Sequence, residues 1–180
     1  MLSSSTAVPL NFAPTGVVPT RADSVHVPLS PEEIIADVKT ACEYGITLVH
    51  LHARDADGLP TTDPGVFRRI ISGIREFAPD LVVCISLSGR RGESLSQRMA
   101  LLEIDGPEKP DMASLTLSSL NFAREASINS PDTVARLAGG MRDAGILPEL
   151  EAFDLGMINV ACYLERKGLL QAPHYANLIL

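Results

Sequence analysis

Two histidines one residue apart, His50 and His52, are the side chains best placed for chemistry. They follow the apolar run Ile46–Val49, which predicts a β-strand. Side chains alternate faces along a strand, so both imidazoles point the same way, with Cα atoms about 6.6 Å apart. Both rings can therefore reach one metal ion, and zinc binds imidazole nitrogens at roughly 2.0–2.1 Å. Two histidines leave such a site incomplete, and the alternative is a hydrogen-bonded polar pair at a strand end.

Composition limits the class of protein. A chain of 180 residues with 46% hydrophobic and 21% charged residues predicts one globular domain over 1–180. A formal net charge of −7 argues against nucleic-acid or anionic-membrane partners. Three scattered cysteines are typical of reduced thiols, and Met1–Ser5 lacks the basic start of a signal peptide. We therefore expect a cytoplasmic protein that does not bind membranes.

Strand and helix signals alternate along the chain. Three helices have readable starts, at Ser30-Pro31, Asp63-Pro64 and Ser130-Pro131, and glycines at 45, 145 and 168 are predicted helix ends. Such alternation predicts a parallel sheet. The strand signals begin near Ala7, Ile46, Leu81, Met112, Leu147 and Tyr175.

Polar residues recur at the ends of successive predicted strands, which is the layout of a (β/α)8 barrel. Phosphate-binding glycine motifs of the doubly wound folds are absent from the sequence. Strand starts are roughly 34 residues apart, so eight units need roughly 270 residues, close to the usual barrel size. We predict an α/β TIM barrel of which the chain holds five β/α units and a sixth strand. The polar residues are Asn11, Thr15, His50, His52, Ser86, Ser88, Ser114, Thr116, Glu149 and Glu151.

Six motifs in order make the sequence resemble the β-keto acid cleavage enzymes, a family that includes the 3-keto-5-aminohexanoate cleavage enzyme. The resemblance runs from about residue 8 to the end and covers the N-terminal two thirds of such enzymes. The motifs are Asn11–Gly16, Val49–Arg54, Ser86–Arg90, Asp111–Thr116, Leu120–Phe122, and Pro148–Glu151 followed by Asp154–Met157.

The resemblance implies a zinc-dependent TIM barrel that converts a β-keto carboxylate and acetyl-CoA to an acyl-CoA and acetoacetate. His50 and His52 match the family's histidine zinc ligands, and Glu151 matches an acidic active-site residue. Ser86, Gly89 and Ser114 match positions that hold the keto acid. The family's third zinc ligand, a glutamate near the eighth strand, has no counterpart in this sequence. A homotetramer is also implied.

General chemistry agrees with these residue types. A Lewis acid stabilises a developing enolate oxygen, and a nearby carboxylate can take the proton, which makes Glu151 the candidate base. Glu149 shares its face, so one of the two could instead be solvated or ion-paired. Thr116 is a further candidate to contact the substrate.

Three positions bear on specificity and orientation. Relatives that act on an amino-substituted keto acid carry a glutamate where this chain has Val18, so we expect an uncharged acyl chain. Arg54 is predicted either to orient the site or only to pair with Asp55 or Asp57. Arg90 could attract the phosphates of CoA, although exposed arginines are usually solvated.

Two other functions stay open. One is a different metal-assisted lyase or hydrolase on the same barrel, because a fold does not fix a chemistry. The other is an inactive truncated fragment, since the sequence stops inside its sixth predicted strand.

Overall fold

A computed structural model describes residues 8–179. Ala7, the predicted start of the first strand, and the rest of 1–7 and 180 in the predicted domain lie outside the described residues. Numbered along the chain, the strands are β1 (Asn11–Phe12), β2 (Leu48–Leu51), β3 (Ala53–Arg54), β4 (Pro60–Thr61), β5 (Val82–Ile85), β6 (Met112–Thr116), β7 (Leu120–Asn121), β8 (Ala126–Ser127), β9 (Leu147–Ala152) and β10 (Tyr175–Leu178).

One parallel sheet contains the six predicted strands, in the order β1-β2-β5-β6-β9-β10. Each strand therefore pairs with the next one predicted along the chain. Right-handed crossovers between sequential neighbours place every helix on the same side of the sheet, which curls it toward a barrel. A doubly wound sheet would reverse its strand order. The predicted partial TIM barrel is confirmed.

Two antiparallel ribbons follow the carboxyl ends of β2 and β6 and were not predicted. They pair β3 with β4 and β7 with β8, and each strand has two residues. Segments this short carry almost no alternation pattern, so hydrophobic periodicity could not detect them. Both ribbons extend the loops at the end of the sheet where the predicted site residues lie.

Helix starts match the predicted capping signals. Ser30 accepts a hydrogen bond from the Glu33 N–H, and the Glu33 carboxylate accepts one from the Ser30 N–H, which completes a capping box. The first helix ends at Cys42, ahead of the predicted Gly45. None of the helices within 8–179 is long and apolar enough to cross a bilayer. The helices are α1 (Pro31–Cys42), α2 (Pro64–Arg75), α3 (Leu95–Ala100), α4 (Pro131–Ala144) and α5 (Leu155–Arg166), with 3-10 turns at Leu101–Glu103 and Gly106–Glu108.

Alternate residues of each strand enter different environments. Val49, Val83 and Leu115 join the large apolar core between the sheet and its helices. Their strand neighbours Leu48, Cys84 and Met112 form a separate small cluster on the inner, concave face. Because side chains alternate with period two, the residues that follow this small cluster on the same face point into the barrel mouth.

Gly139, inside α4, and Gly145, which caps its end, give a matched test of the backbone conformation. Gly145 ends the helix in the left-handed conformation at φ +63°, where a Cβ is strained. Gly139 lies inside the helix, and a Cβ there would meet Leu169 at an ordinary 3.8 Å. We expect Gly145→Ala to lower the free energy of unfolding by about 1 kcal/mol and Gly139→Ala to raise it by about 0.5–1 kcal/mol. Urea unfolding of the two variants measures this, and equal signs would contradict the assignment.

Candidate functional site

Two adjoining cavities open at the carboxyl end of the sheet and share His52 and Glu151. The histidine cavity, of about 380 Å³, is lined by Asn11, Ala13, His50, His52, Glu151, Tyr175 and Asn177. The loop cavity, of about 170 Å³, is lined by Val17, His52, Ser86, Ser88, Arg90, Thr116, Leu120, Phe122, Ser127, Glu151 and Phe153.

His50 is paired with Glu149 across the interior of the curled sheet. The two side chains are buried, and Nδ1 of His50 lies 2.6 Å from Oε2 of Glu149. A carboxylate can only accept, so the imidazole donates from Nδ1 and keeps Nε2 free. A hydrogen bond from the second ring nitrogen to a carboxylate is the usual support of a metal-binding histidine.

Burial and charge move the pKa values of both histidines. Burial lowers the pKa of His50, but the hydrogen bond and charge of Glu149 outweigh it, and the net direction is upward. Burial, with the nearby positive charges of His50 and Arg54, lowers the pKa of His52 to about 3. His52 is therefore a neutral imidazole at pH 7, the form that ligates metals.

The donor set at the two histidines fits a metal ion. Their ring centroids are 5.0 Å apart. Imidazoles that bind one tetrahedral ion have ring centres roughly 5 Å apart when each nitrogen is about 2.1 Å from the ion.

A second cluster of possible ligands consists of His50, Cys84 and Glu149, whose ligand atoms lie within 4.8 Å of one another. Two atoms that bind the same tetrahedral zinc are roughly 3.3 Å apart. The 2.6 Å between His50 and Glu149 is a hydrogen-bond length instead. The structure thus favours Glu149 as the support of His50 over a shared ligand role for the two.

Glu149 and Glu151 share a face of β9 but have different surroundings. The carboxylate of Glu149 also accepts hydrogen bonds from Asn11 Nδ2 at 3.1 Å and Cys84 Sγ at 3.3 Å. Burial alone would raise the pKa of Glu149, but its hydrogen bonds, chiefly the one from His50, outweigh burial and lower this pKa. Glu151 accepts from Thr116 Oγ1 at 2.6 Å and lines both cavities. Burial raises the pKa of Glu151. Glu151 is therefore the carboxylate available to a substrate.

The loop after β5 presents hydroxyl groups to the loop cavity. Ser86 and Ser88 line it, and the Ser88 N–H donates to Ser86 Oγ at 3.3 Å. Ser114 lies beneath this loop, with its Oγ accepting from the Leu87 N–H at 3.0 Å, and is not among the described residues that line either cavity. Its predicted contact with a substrate therefore has no support in the cavity geometry, because a backbone amide occupies its oxygen. Gly89 packs against the guanidinium of Arg98.

Arg54 fastens the loop after β1. Its guanidinium is buried and donates to the carbonyls of Gly16 and Pro19. The described contacts do not show the predicted alternative, a pairing of Arg54 with Asp55 or Asp57.

The loop that Arg54 holds contains Val17 and Val18. Val17 lines the loop cavity, whereas Val18 is 42% exposed and outside its lining. Of the two valines, Val17 is thus the one that lines the loop cavity, and the predicted role of Val18 stays a prediction.

Arg90 lies at the loop cavity but is already engaged. Its Nε donates to Glu125 at 2.5 Å, and its guanidinium lies 3.6 Å from the centre of the Phe122 ring. This carboxylate neutralises the charge that could attract CoA phosphates, and the predicted phosphate contact stays a prediction.

A larger open groove, of about 660 Å³, lies beside the start of α1 and takes no residue from the main strands. Two ion pairs lie in its walls, Arg21 with Glu33 and Arg69 with Glu32. The groove is thus separate from the strand ends that carry the predicted site residues.

A family model for beta-keto acid cleavage enzymes matches residues 8–180. The chain belongs to this family. The resemblance inferred from the six motifs is confirmed.

Relatives of this chain include an acetyl-CoA acetyltransferase and a keto acid cleavage enzyme. The chain is 36% identical over 171 residues to the 3-oxoadipate:acetyl-CoA acetyltransferase of Cupriavidus necator, covering 95% of this chain and 58% of that protein. It is 32% identical over 166 residues to the 3-keto-5-aminohexanoate cleavage enzyme of Fusobacterium nucleatum, covering 92% and 60%. The chain thus spans about three fifths of the length of these relatives.

A solved structure supports the fold. The apo structure of ObcA superposes with a TM-score of 0.77 at 22% identity, over 85% of this chain and 36% of that one. At this sequence identity, the structural similarity supports the barrel fold only.

Sequence reasoning missed three supports of the site. Asn11 and Asn177 approach Glu149, with Nδ2 atoms at 3.1 and 3.5 Å, and Arg98 binds the loop after β5. The position of Asn11 at a predicted strand end was the sequence feature that could have indicated its role as a support of the site. Nothing in the sequence around Arg98 distinguishes it from a surface arginine on an amphipathic helix.

We expect Arg54→Met to loosen the loop that carries Val17. Loss of hydrogen bonds from a charged donor to two carbonyls should lower the free energy of unfolding by about 2 kcal/mol and speed amide hydrogen exchange at residues 16–19. Arg136→Met, which removes an exposed arginine of α4, is the control and should cost under about 0.5 kcal/mol. Unchanged exchange in Arg54→Met would show that other contacts hold the loop.

Proposed function

We propose that this chain belongs to an enzyme that, with its barrel complete, cleaves an uncharged β-keto acid with acetyl-CoA, giving an acyl-CoA and acetoacetate, with zinc as cofactor. The observation that carries the proposal is the junction of the two cavities at His52 and Glu151. That junction sets a possible metal site, a carboxylate and a hydroxyl-lined pocket side by side. A homo-oligomer remains part of the proposal, by resemblance.

His50, through its free Nε2, and His52 are the residues that would hold the zinc ion. When bound, the ion would act as a Lewis acid toward the ketone oxygen of the substrate. Glu149 contributes by fixing the tautomer and orientation of His50.

Glu151 is proposed to accept a proton from the carbon next to the ketone. Thr116 donates to its Oε2 and so holds the carboxyl group in one orientation, with Oε1 available to the substrate. Burial makes Glu151 more basic than an exposed glutamate, which suits this role. Its place in both cavities lets it reach a substrate that bridges them.

Ser86, Ser88 and the backbone at Gly89 are proposed to bind the substrate carboxylate, with Ser114 holding their loop from beneath. The opposite wall of the loop cavity is apolar and contains Val17, Leu120, Phe122 and Phe153. A cationic acyl chain would be desolvated there without a counter-charge, which costs several kcal/mol. An uncharged chain fits this wall better.

The proposal is tested by measuring acetoacetate formed from acetyl-CoA and a panel of β-keto acids. In a protein that contains the complete barrel, we expect turnover with uncharged acyl chains, and Glu151→Gln should lower kcat about a hundredfold or more because the proton acceptor is lost. Glu43→Gln, which changes an exposed glutamate after α1, is the matched control. If the complete barrel forms no acetoacetate from any substrate, or if Glu151→Gln keeps full activity, this function is refuted.

Metal affinity tests the histidine pair separately from turnover. In a protein whose complete barrel supplies the third ligand that the resemblance implies, we expect His50→Ala and His52→Ala to abolish tight zinc binding, and Glu149→Gln to weaken it about 10–100-fold because the imidazole loses its supporting carboxylate. Competition with a chromophoric chelator gives the affinities. Zinc affinity that is unchanged in Glu149→Gln would instead indicate that His50 needs no such support.

Paired substitutions at the two valines test substrate choice. A carboxylate in the loop cavity would supply a counter-charge, so Val17→Glu should shift the kcat/KM ratio toward an ammonium-bearing keto acid. Val18→Glu, the substitution suggested by the resemblance, should shift this ratio less because Val18 faces solvent. A larger shift in Val18→Glu would show that the predicted position lines the pocket when substrate is bound.

A further inference from the structure

Arg98 is a buried arginine that forms hydrogen bonds to neutral partners. Its side chain lies in α3 and is 2% exposed. Nε donates to the Leu87 carbonyl at 2.6 Å, and Nη2 donates to Asn129 Oδ1 at 3.0 Å. Within residues 8–179 no carboxylate forms an ion pair with it, although the charges of Glu93 and Glu151 act on it from a distance. An unneutralised buried charge costs several kcal/mol, so its presence calls for a reason.

The guanidinium supports the turn after β5 from behind. A Cβ at Gly89 would lie 3.0 Å from Nη1 and 3.4 Å from Cζ, so the glycine allows the arginine to press against the turn backbone. Ser86 and Ser88 of the same turn line the loop cavity, whereas Arg98 itself does not. The arginine therefore acts on this cavity through the turn.

Asn129 joins the same support to a second wall of the cavity. Its backbone N–H donates to Ser119 Oγ at 2.8 Å, and its Nδ2 lies 3.4 Å from Ser127 Oγ. Ser127 lines the loop cavity. One buried pair, Arg98 with Asn129, thus braces both the turn after β5 and the ribbon of β7 and β8.

We propose that Arg98 is a positioning residue whose unneutralised guanidinium holds the Leu87–Gly89 turn and gives the site at that turn its preference for a carboxylate. This inference rests on the proposed function, in which the turn binds the substrate carboxylate. The bound anion would supply a further negative charge near Arg98, which has no carboxylate in ion-pair contact among the described residues. A neutral partner such as Asn129 keeps the positive field directed at the turn, where an aspartate would cancel it.

Asn129→Asp is the sharpest test, because it keeps the side-chain size and the acceptor for Arg98 Nη2 and adds a negative charge there, at the loss of only the two 3.4 Å contacts of Nδ2 with the Ser118 carbonyl and Ser127 Oγ. We expect KM for 3-oxohexanoate to rise on the order of tenfold while KM for acetyl-CoA stays within about twofold and Tm does not fall. Arg98→Gln should raise the same KM at least as much. Arg98→Lys, which keeps the charge but cannot keep both hydrogen bonds, should restore part of the loss.

Arg75→Gln is the matched control. Arg75 lies in α2, and its Nη1 donates to the Leu81 carbonyl at 2.6 Å, just before the amino end of β5. It supports the same strand from the opposite end, so its loss should lower Tm without changing KM for the keto acid. An equal KM change in Arg75→Gln would show that Arg98 has a general structural role only.

A binding assay separates this inference from the proposed reaction. Calorimetry compares 3-oxohexanoate with 2-pentanone, which has the same carbon chain without the carboxylate. Wild type should prefer the acid, and Asn129→Asp should lose most of that preference, whether or not acetoacetate is formed. An unchanged preference in Asn129→Asp overturns the inference. If Arg98→Gln does not fold, Asn129→Asp decides alone.

Discussion

The carboxylate of Glu149 is the interaction on which the interior of this half-barrel depends. It is fully buried on β9 and receives hydrogen bonds from His50 on β2, Asn11 on β1 and Cys84 on β5, with Asn177 of β10 at the limit of hydrogen-bonding distance. Such a charge is stable inside a protein only when donors surround it. Donors from strands so far apart in the sheet reach one carboxylate because the sheet curls.

The same curl determines the division of roles along β9. Two residues past Glu149, nearer the open end of the sheet, Glu151 has the hydroxyl of Thr116 as a partner and two cavities in front of it. Burial raises the pKa of Glu151 because few donors offset it, whereas the hydrogen bonds to Glu149 outweigh burial and hold that carboxylate ionised. The two glutamates on one face of β9 therefore have opposite pKa shifts because they lie at different depths in the half-barrel.

The elements and the site residues differ in how far sequence could predict them. Capping residues and period-two alternation depend on near neighbours in the chain, so Ser30, Ser130 and the six main strands were predictable. The pairing of His50 with Glu149 joins residues 99 positions apart and follows from the curl, which no local pattern contains. Arg54 and Arg98 bind backbone carbonyls, and carbonyls are present at every residue, so their partners leave no mark in the sequence. Val17 rather than Val18 lines the loop cavity because of the conformation of a loop, and loops have no regular period that a sequence pattern could reveal.

The alternation of side chains between the outer core and the barrel mouth has an evolutionary consequence. Val49, Ile85 and Leu115 are packed against helices, and their strand neighbours His50, Ser86 and Ser114 face the interior. Adjacent residues of one strand are thus under different selective constraints. Residues on the outer face are selected for folding, and residues on the inner face are selected for chemistry. Residues of the inner face can therefore change during evolution while the residues packed against the helices keep the scaffold intact.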